Sequence, residues 1–288
     1  MRYCEFKPTP QLAPYVECFW TLDNDETEVT KPAEGLQPER ILPDGCVELI
    51  LNFGAHFREQ LDNGQQEAQP RHFLVGQMTR PILISPNGRV ELIGIRFHPG
   101  GTLPFLKVEM QELTNQVVEL AALSRDLERK FVSRMDEAHS IPSPRGKISR
   151  LEELLVDLMS NHKFEAKLVG LVGKIVARGG QVSVAELAHA AGVSSRQLER
   201  RFLSEVGIGP KLLCRILRFQ QVFRAVERND SGWAAVATDC GYYDQAHLIR
   251  DFQQFARQTP AVLFSQPLGL THAFTRKDRT SDFSNTLP

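Results

Sequence analysis

Over the first hundred positions the apolar residues fall in short runs separated by turn residues. The runs are 16–22, 40–42, 46–53, 72–75, 82–85 and 90–97. Short strands at this spacing predict a β-rich barrel or sandwich. Pro43-Asp44-Gly45 has turn chemistry, because proline presets one φ and glycine accepts a positive one. Pro86-Asn87-Gly88 repeats it and predicts a hairpin joining 82–85 to 90–97. Val47, Leu49, Leu51, Phe53, Ile93, Ile95 and Phe97 alternate with other residues. Such positions belong to a packed sheet face more often than to a pocket wall.

Near Pro104 the period changes. Leu113, Val117, Leu120, Leu127 and Phe131 recur at helical spacing, interrupted at Ser124. The stripe predicts an amphipathic helix over 111–136 that packs on its own β domain or pairs with a second copy as a short coiled coil. Two prolines and Gly146 within 139–149 read as linker, and Leu151, Leu154, Leu155 and Leu158 as a short helix after it. The expected organisation is α+β: a β-rich domain with connecting helices over 1–138, a linker with a short helix over 139–164, an all-α domain over 165–268, and a disordered tail over 269–288.

The all-α region contains an internal repeat. Its first copy runs Glu186-Leu187-Ala188-His189-Ala190-Ala191-Gly192, then Val193, Leu198, Phe202 and Pro210. Its second runs Ala235-Val236-Ala237-Thr238-Asp239-Cys240-Gly241, then Tyr242, Leu248, Phe252 and Pro260. The glycines are 49 apart, and the Leu, Phe and Pro positions 50 apart. Each copy has the physics of a helix-turn-helix. Small residues (Ala188 and Ala191, then Ala237 and Cys240) let a second helix cross closely. Glycine ends the first helix in the left-handed region, and Val193 or Tyr242 plugs the turn. Ser194, with Gln197 completing a capping box, or Asp244 caps the second helix. Pro210 and Pro260 suit a first helical turn. A helix from about 210 to 228, with Leu212, Ile216, Phe219, Phe223 and Val226 as its stripe, joins the copies. At 1.5 Å per residue it spans ~28 Å. That length suits two helices entering successive major grooves one turn (~34 Å) apart.

At these residues the chain resembles the double helix-turn-helix domain of the AraC/XylS family of transcription regulators. The likeness covers about 165–266 and is carried by Ser194-Ser195-Arg196-Gln197-Leu198-Glu199-Arg200-Arg201-Phe202, by Gly207-Ile208-Gly209-Pro210-Lys211, and by the stretch from Gly241 through Asp244-Gln245-Ala246-His247-Leu248-Ile249-Arg250 to Phe252. Arg257 stands where the family usually has glycine, and a locally altered helix end is expected there. Leu42-Pro43-Asp44-Gly45-Cys46 and Gly94-Ile95-Arg96-Phe97-His98-Pro99-Gly100 are similar to an uncharacterised domain that precedes this unit in some bacterial regulators. That second likeness implies no ligand.

The expected function is sequence-specific DNA binding, with reading helices near 195–206 and 244–255. With Leu198, Phe202, Leu248 and Phe252 facing inward, the candidate DNA-contacting residues are Ser195, Arg196, Gln197, Glu199, Arg200, Gln245, Ala246, His247 and Arg250. Arginine pairs bidentately with guanine and glutamine with adenine. The resemblance implies base contacts at Arg196, Glu199, Arg200, Gln245 and Arg250. An exposed arginine can equally hold a phosphate, and Glu199 can orient an arginine. Lys211, Arg215, Arg218 and the helix N-termini are expected to bind phosphates.

Charge agrees with this division. Residues 1–160 carry a formal −7 and residues 161–288 +6, within a net charge of −1. The five cysteines (Cys4, Cys18, Cys46, Cys214 and Cys240) lack C-x-x-C spacing, so reduced thiols are expected. Apolar runs are too short for a membrane helix and the start lacks a signal-peptide core. A soluble cytoplasmic protein is therefore expected. Its partners would be double-stranded DNA, a small-molecule effector acting on the β domain, a second copy of the chain, and RNA polymerase if it activates.

Enzymatic readings compete weakly. No cysteine has the Pro-Cys-His context of the DNA-repair methyltransferases that share such a helical unit. A metal-dependent cupin-like β domain could draw on His56, His72 and His98 beside Glu48 and Glu91, but H-x-H and H-x-x-x-H spacings are missing. No catalytic residue, metal ligand or cofactor is assigned.

Overall fold

The protein is described here from a computed structural model, which covers residues 1–24, 38–138, 141, 143–160, 167–228, 232–266, 268–271 and 285–286. The first part of the chain forms β1 (Arg2–Phe6), β2 (Val16–Asp23), β3 (Glu39–Ile41), β4 (Val47–Asn52), β5 (Arg58–Gln60), β6 (Gln66–Ala68), β7 (His72–Val75), β8 (Ile82–Ser85) and β9 (Glu91–Phe97). A 3-10 turn (Met110–Leu113), β10 (Val117–Glu119), α1 (Leu120–Leu123), α2 (Arg125–Glu137) and α3 (Pro144–Ser160) follow. The remainder is α4 (Lys167–Ala177), α5 (Val184–Ala191), α6 (Ser195–Val206), α7 (Pro210–Arg228), α8 (Trp233–Asp239), α9 (Gln245–Ala256) and α10 (Pro260–Phe264), with β11 (Asn285–Thr286) near the end. The architecture is α+β.

The strands make two antiparallel sheets, ordered β10-β7-β4-β9-β2-β1-β11 and β3-β8-β5-β6. Alternation sorts the large sheet into two faces. Val47, Leu49, Leu51, Ile93, Ile95 and Phe97 face a core completed by α2 and α3 through Leu127, Phe131, Leu151 and Leu155. The opposite face, with Trp20, Leu22, Ile50 and Leu92, packs towards Ile41 and Ile84 of the small sheet. Trp20 lies flat across Gly94, where a Cβ would come 2.0 Å from its ring. Side chains on the β2–β9 pair therefore leave no room for any residue but glycine at 94.

Four expectations change. The hairpin does not form: β8 pairs with β3 and β5, whereas β9 pairs with β2 and β4. Pro86-Asn87-Gly88 thus carries the chain from one sheet to the other. The single helix over 111–136 is broken. Val117 and its neighbours add a strand to β7, and Ser124, at φ −164, caps a fresh helix by accepting from Leu127 N–H. Its hydroxyl satisfies an orphan N–H, so the break in the stripe is a helix start. The short helix expected after the linker starts earlier, at Pro144 inside the segment read as linker, and runs 17 residues to Ser160. Its Ile148, Leu151, Leu154 and Leu155 are buried in the β-domain core. The tail expected from 269 begins in contact: Leu270 N–H donates to Glu39 Oε2 (3.0 Å), and Asn285 pairs with Tyr3. Residues 272–284 and 287–288 lie outside the described residues.

The helical part has its own core. Phe219, Phe223, Phe252, Phe255 and Phe264 meet ring to ring at centroid distances of 4.8–6.3 Å. Burying each such ring stabilises the fold by about 1.5–3 kcal/mol. The β domain also packs on α7, so the helix is buried beyond one stripe: Leu213, Ile216, Leu217, Phe219 and Val222 are all covered. Gln220 Nε2 donates to Pro43 O (2.6 Å), and Leu213 Cδ1 would meet a Cβ at Gly45 at 3.1 Å.

Candidate nucleic-acid interface

Both repeat copies end their first helix in the same hydrogen-bond pattern. Val193 N–H donates to Ala188 O and Gly192 N–H to His189 O; Tyr242 N–H donates to Ala237 O and Gly241 N–H to Thr238 O. This is a Schellman turn. Its glycines have φ of +67° and +75°, a region glycine enters without steric cost. Ala188, Ala237 and Cys240 are buried at the crossings. Tyr242 is buried as a plug, and Val193 packs partly against the same core. Burial pushes the Tyr242 phenol far above its ordinary value.

The second helix of each unit starts under a side-chain cap. Ser194 Oγ accepts from Gln197 N–H, and Gln197 Oε1 accepts from Ser194 N–H, completing a capping box. Asp244 Oδ1 accepts from His247 N–H (2.6 Å). Leu198 and Phe202 of α6, and Leu248 and Phe252 of α9, are buried to 1 % exposure or less. Their burial turns the other faces outward. Ser195, Arg196, Gln197, Glu199, Arg200, Gln245, Ala246 and Arg250 are exposed, and His247 is half-buried, with its ring edge-on to Tyr242 at 5.2 Å.

Some side chains have work within the fold. Gln197 Oε1 is engaged in the capping box. The Glu199 carboxylate lies against Gly209, 2.1 Å from where a Cβ would stand there. That puts a negative charge beside the first turn of α7, where the helix dipole favours it. Arg250 Nε bonds back to Ala246 O (3.3 Å) along its own helix.

Two arginines expected on phosphates have structural partners. Arg215 Nη2 pairs with Asp251 Oδ1 (2.6 Å) and Gln254 Oε1 (2.6 Å), and its guanidinium lies 5.3 Å from the centre of the Phe255 ring. Arg218 donates to Gly241 O (3.2 Å) and stands over the Tyr242 ring. Both fasten the second unit to α7. The apolar stripe could not show this, because the acidic partner is Asp251, 36 residues on. Lys211 is exposed. Tyr243, 93 % exposed just before the cap of α9, was not among the sequence candidates. Its signal was an aromatic beside the buried plug, in a stretch where one aromatic suffices for packing.

The β domain grips the back of this surface. Thr114 Oγ1 donates to Gly207 O at the end of α6 (2.7 Å), and Arg40 Nη1 donates to Ala256 O at the end of α9 (2.9 Å). With the Gln220–Pro43 bond, it touches the C-terminal ends of α6 and α9 and the helix between them. The N-terminal turns of α6 and α9 are exposed at Ser195, Arg196 and Gln197 and at Gln245 and Ala246.

Among the described residues, no group of three or more His, Cys, Asp and Glu is placed to hold a metal ion. His56 Nδ1 meets Gln69 O (2.7 Å), and His72 Nδ1 lies 3.4 Å from Glu128. None of the five cysteines is in a disulfide, and four of them are buried. No described helix is long and apolar enough to cross a membrane.

Residues 4–119 match a domain family described as a domain of unknown function, DUF6597, and residues 187–266 match a helix-turn-helix domain family. No curated protein matches the chain. Among solved structures, a ToxT from Vibrio cholerae is similar at 8 % identity and a TM-score of 0.43, over 79 % of this chain and 93 % of that one. ToxT from Vibrio cholerae O395 is similar at 9 % identity and 0.41, over 79 % and 96 %. The AraC-like transcriptional activator CuxR is similar at 11 % identity and 0.26, over 74 % of each chain. The repeated units and the matched family make residues 187–266 a helix-turn-helix domain.

Proposed function

We propose that the protein reads a specific DNA site with the N-terminal halves of α6 and α9, and that its β domain senses a small molecule. The observation that carries the first part is the exposure of Arg196, Arg200, Gln245 and Arg250 on two helices that begin and end alike. Arg200 and Arg250 read bases in successive major grooves, with Arg196 and Gln245 beside them. Ser195, His247, Ala246 and Tyr243 approach the backbone or the groove edge, and Lys211 and the helix N-termini hold phosphates. Glu199 and Gln197 brace the first unit more than they read. Selection from random duplex DNA tests this. It should return two short blocks about 10 base pairs apart for each bound chain, with affinity falling steeply as salt rises. A single block, or no preference, refutes paired reading.

Sensing is favoured over a purely oligomeric role for the β domain by a cavity of about 80 Å³ between the two sheets. Its wall includes Leu42, Asp44 and Cys46. The same turn presses on α7 through Pro43 and Gly45. An occupant that shifts the turn would therefore bear on the helix that spaces the two reading units. Residues 1–138, 165–268 and the helix between them serve as sensing unit, reading unit and connector in this scheme. A cytoplasmic location and contact with RNA polymerase would follow from the same role.

A further inference from the structure

The wall of the inter-sheet cavity is apolar over most of its area. Trp20, Leu22, Ile50, Phe73 and Ile84 line it, and Leu270 closes it from the C-terminal segment. Charge enters on one side only, from Asp44, Glu48 and Arg96. Glu48 and Arg96 come from the even-numbered face of β4 and β9, opposite the hydrophobic core, and Asp44 from the turn before β4.

The balance of that charge is negative. Arg96 Nε donates to Glu48 Oε1 (2.6 Å) and lies 3.7 Å from Asp44 Oδ2, and Arg96 Nη1 is 3.9 Å from Glu5. Behind them Glu17 Oε2 accepts from Cys46 Sγ (2.9 Å). Asp44 and Glu48 thus share the Arg96 guanidinium in a place largely removed from water. Burial pushes the Glu48 carboxyl up, with Arg96 pulling the other way. A carboxylate offers about four acceptor positions, so the bonds to Arg96 leave capacity on Asp44 and Glu48. A second cation would relieve the repulsion, and a further anion would add to it.

We propose that this cavity binds a small apolar molecule carrying one cationic amine, its ring or chain among Trp20, Phe73 and Ile84 and its ammonium against Asp44 and Glu48. The proposal rests on the reading of the β domain as a sensor and gives that sensor a ligand class. The ammonium donates to the two carboxylates while the apolar body displaces water from the inter-sheet space. The amine end then sits on the turn that touches α7.

The test uses the full chain with benzylamine, benzyl alcohol and benzoate, three probes of one skeleton, measured by calorimetric titration. Benzylamine should bind at least about tenfold more tightly than benzoate, with benzyl alcohol between them. Asp44→Asn keeps an oxygen to accept from Cys46 N–H (2.8 Å in the native turn) and removes the charge. It should weaken the amine severalfold and leave the alcohol unchanged. Ile84→Phe narrows the cavity from the small sheet and should abolish binding of both, with the thermal midpoint of each variant reporting that it folds. Benzoate binding as well as benzylamine overturns the proposal, as does amine binding untouched by both substitutions, or no binding by any probe. The sensor reading fails separately: if benzylamine binds as described yet leaves DNA affinity unchanged, the ligand class stands and the regulatory role falls. If benzoate binds instead and alters DNA affinity, the sensor stands and the amine assignment falls.

Discussion

The two helix-turn-helix units are alike where the chain turns and unlike where each is fastened. Their Schellman bonds, plugs and buried Leu–Phe pairs superpose position for position at a spacing of 49 or 50 residues. Position 251 in the second unit is a buried aspartate paired with Arg215 of α7. The corresponding position in the first is Arg201, half-buried and paired with Glu205 on its own helix. The first unit is instead braced by Glu199 at the start of α7 and by Thr114 of the β domain. Repetition therefore marks what shapes a unit, and its absence marks what sets the unit's place on the joining helix.

The largest effect should come from breaking the fastening that only the second unit has. Arg215→Ala strands Asp251, 1 % exposed on its side chain, without its cation, and should cost about 3 kcal/mol in urea unfolding. Arg201→Ala should cost less than about 1 kcal/mol. Equal losses would mean that the buried pair fastens nothing. The residues proposed to read DNA come next. Arg200→Ala and Arg250→Ala should each lose ~1–3 kcal/mol of binding at the selected site while leaving the urea midpoint near that of the native chain. The caps should be matched, Ser194→Ala and Asp244→Ala each lowering stability by ~1 kcal/mol. A much larger loss at one would show the units to be unequal in their turns as well.

The smallest effect sharpens the comparison at the helix ends. Gly207 and Arg257 occupy corresponding positions, and Arg257 adopts the left-handed conformation at φ +57°. The helix end expected to be altered is the same left-handed one, made by a residue that resists it. Arg257→Gly should raise stability by up to about 1 kcal/mol, because a side chain disfavours this region by ~1–2 kcal/mol and glycine returns part of that through its freer unfolded state. Unchanged or lowered stability would mean that the arginine compensates through contacts of its own.

The repeat was legible because helix-turn-helix geometry needs small residues, glycine and a cap at set offsets, and all of these are local. Strands β7 and β8 were legible for the same reason, as short apolar runs between turns. What the sequence concealed was pairing at a distance. The turn at Pro86-Asn87-Gly88 looks like a hairpin turn whichever sheet its flanks join. Ser124 reads equally as a flaw in a stripe and as a cap. Arg215 and Arg218 have the look of phosphate ligands until Asp251 and Tyr242 come beside them. The cavity was hidden because Glu48 and Arg96 stand on the strand face opposite the predicted core, and alternation says nothing of a second sheet covering that face.

The central claim is that two separate helices read two separate stretches of one site. The most direct measurement takes the selected duplex, changes each base pair in turn, and follows the affinity of the native chain, Arg200→Ala and Arg250→Ala. Each variant should become indifferent to base identity within one block only, and the two blind spots should lie about one helical turn, ~10 base pairs, apart. If both variants instead lose the same factor on every duplex, the arginines hold phosphates and the paired reading is wrong.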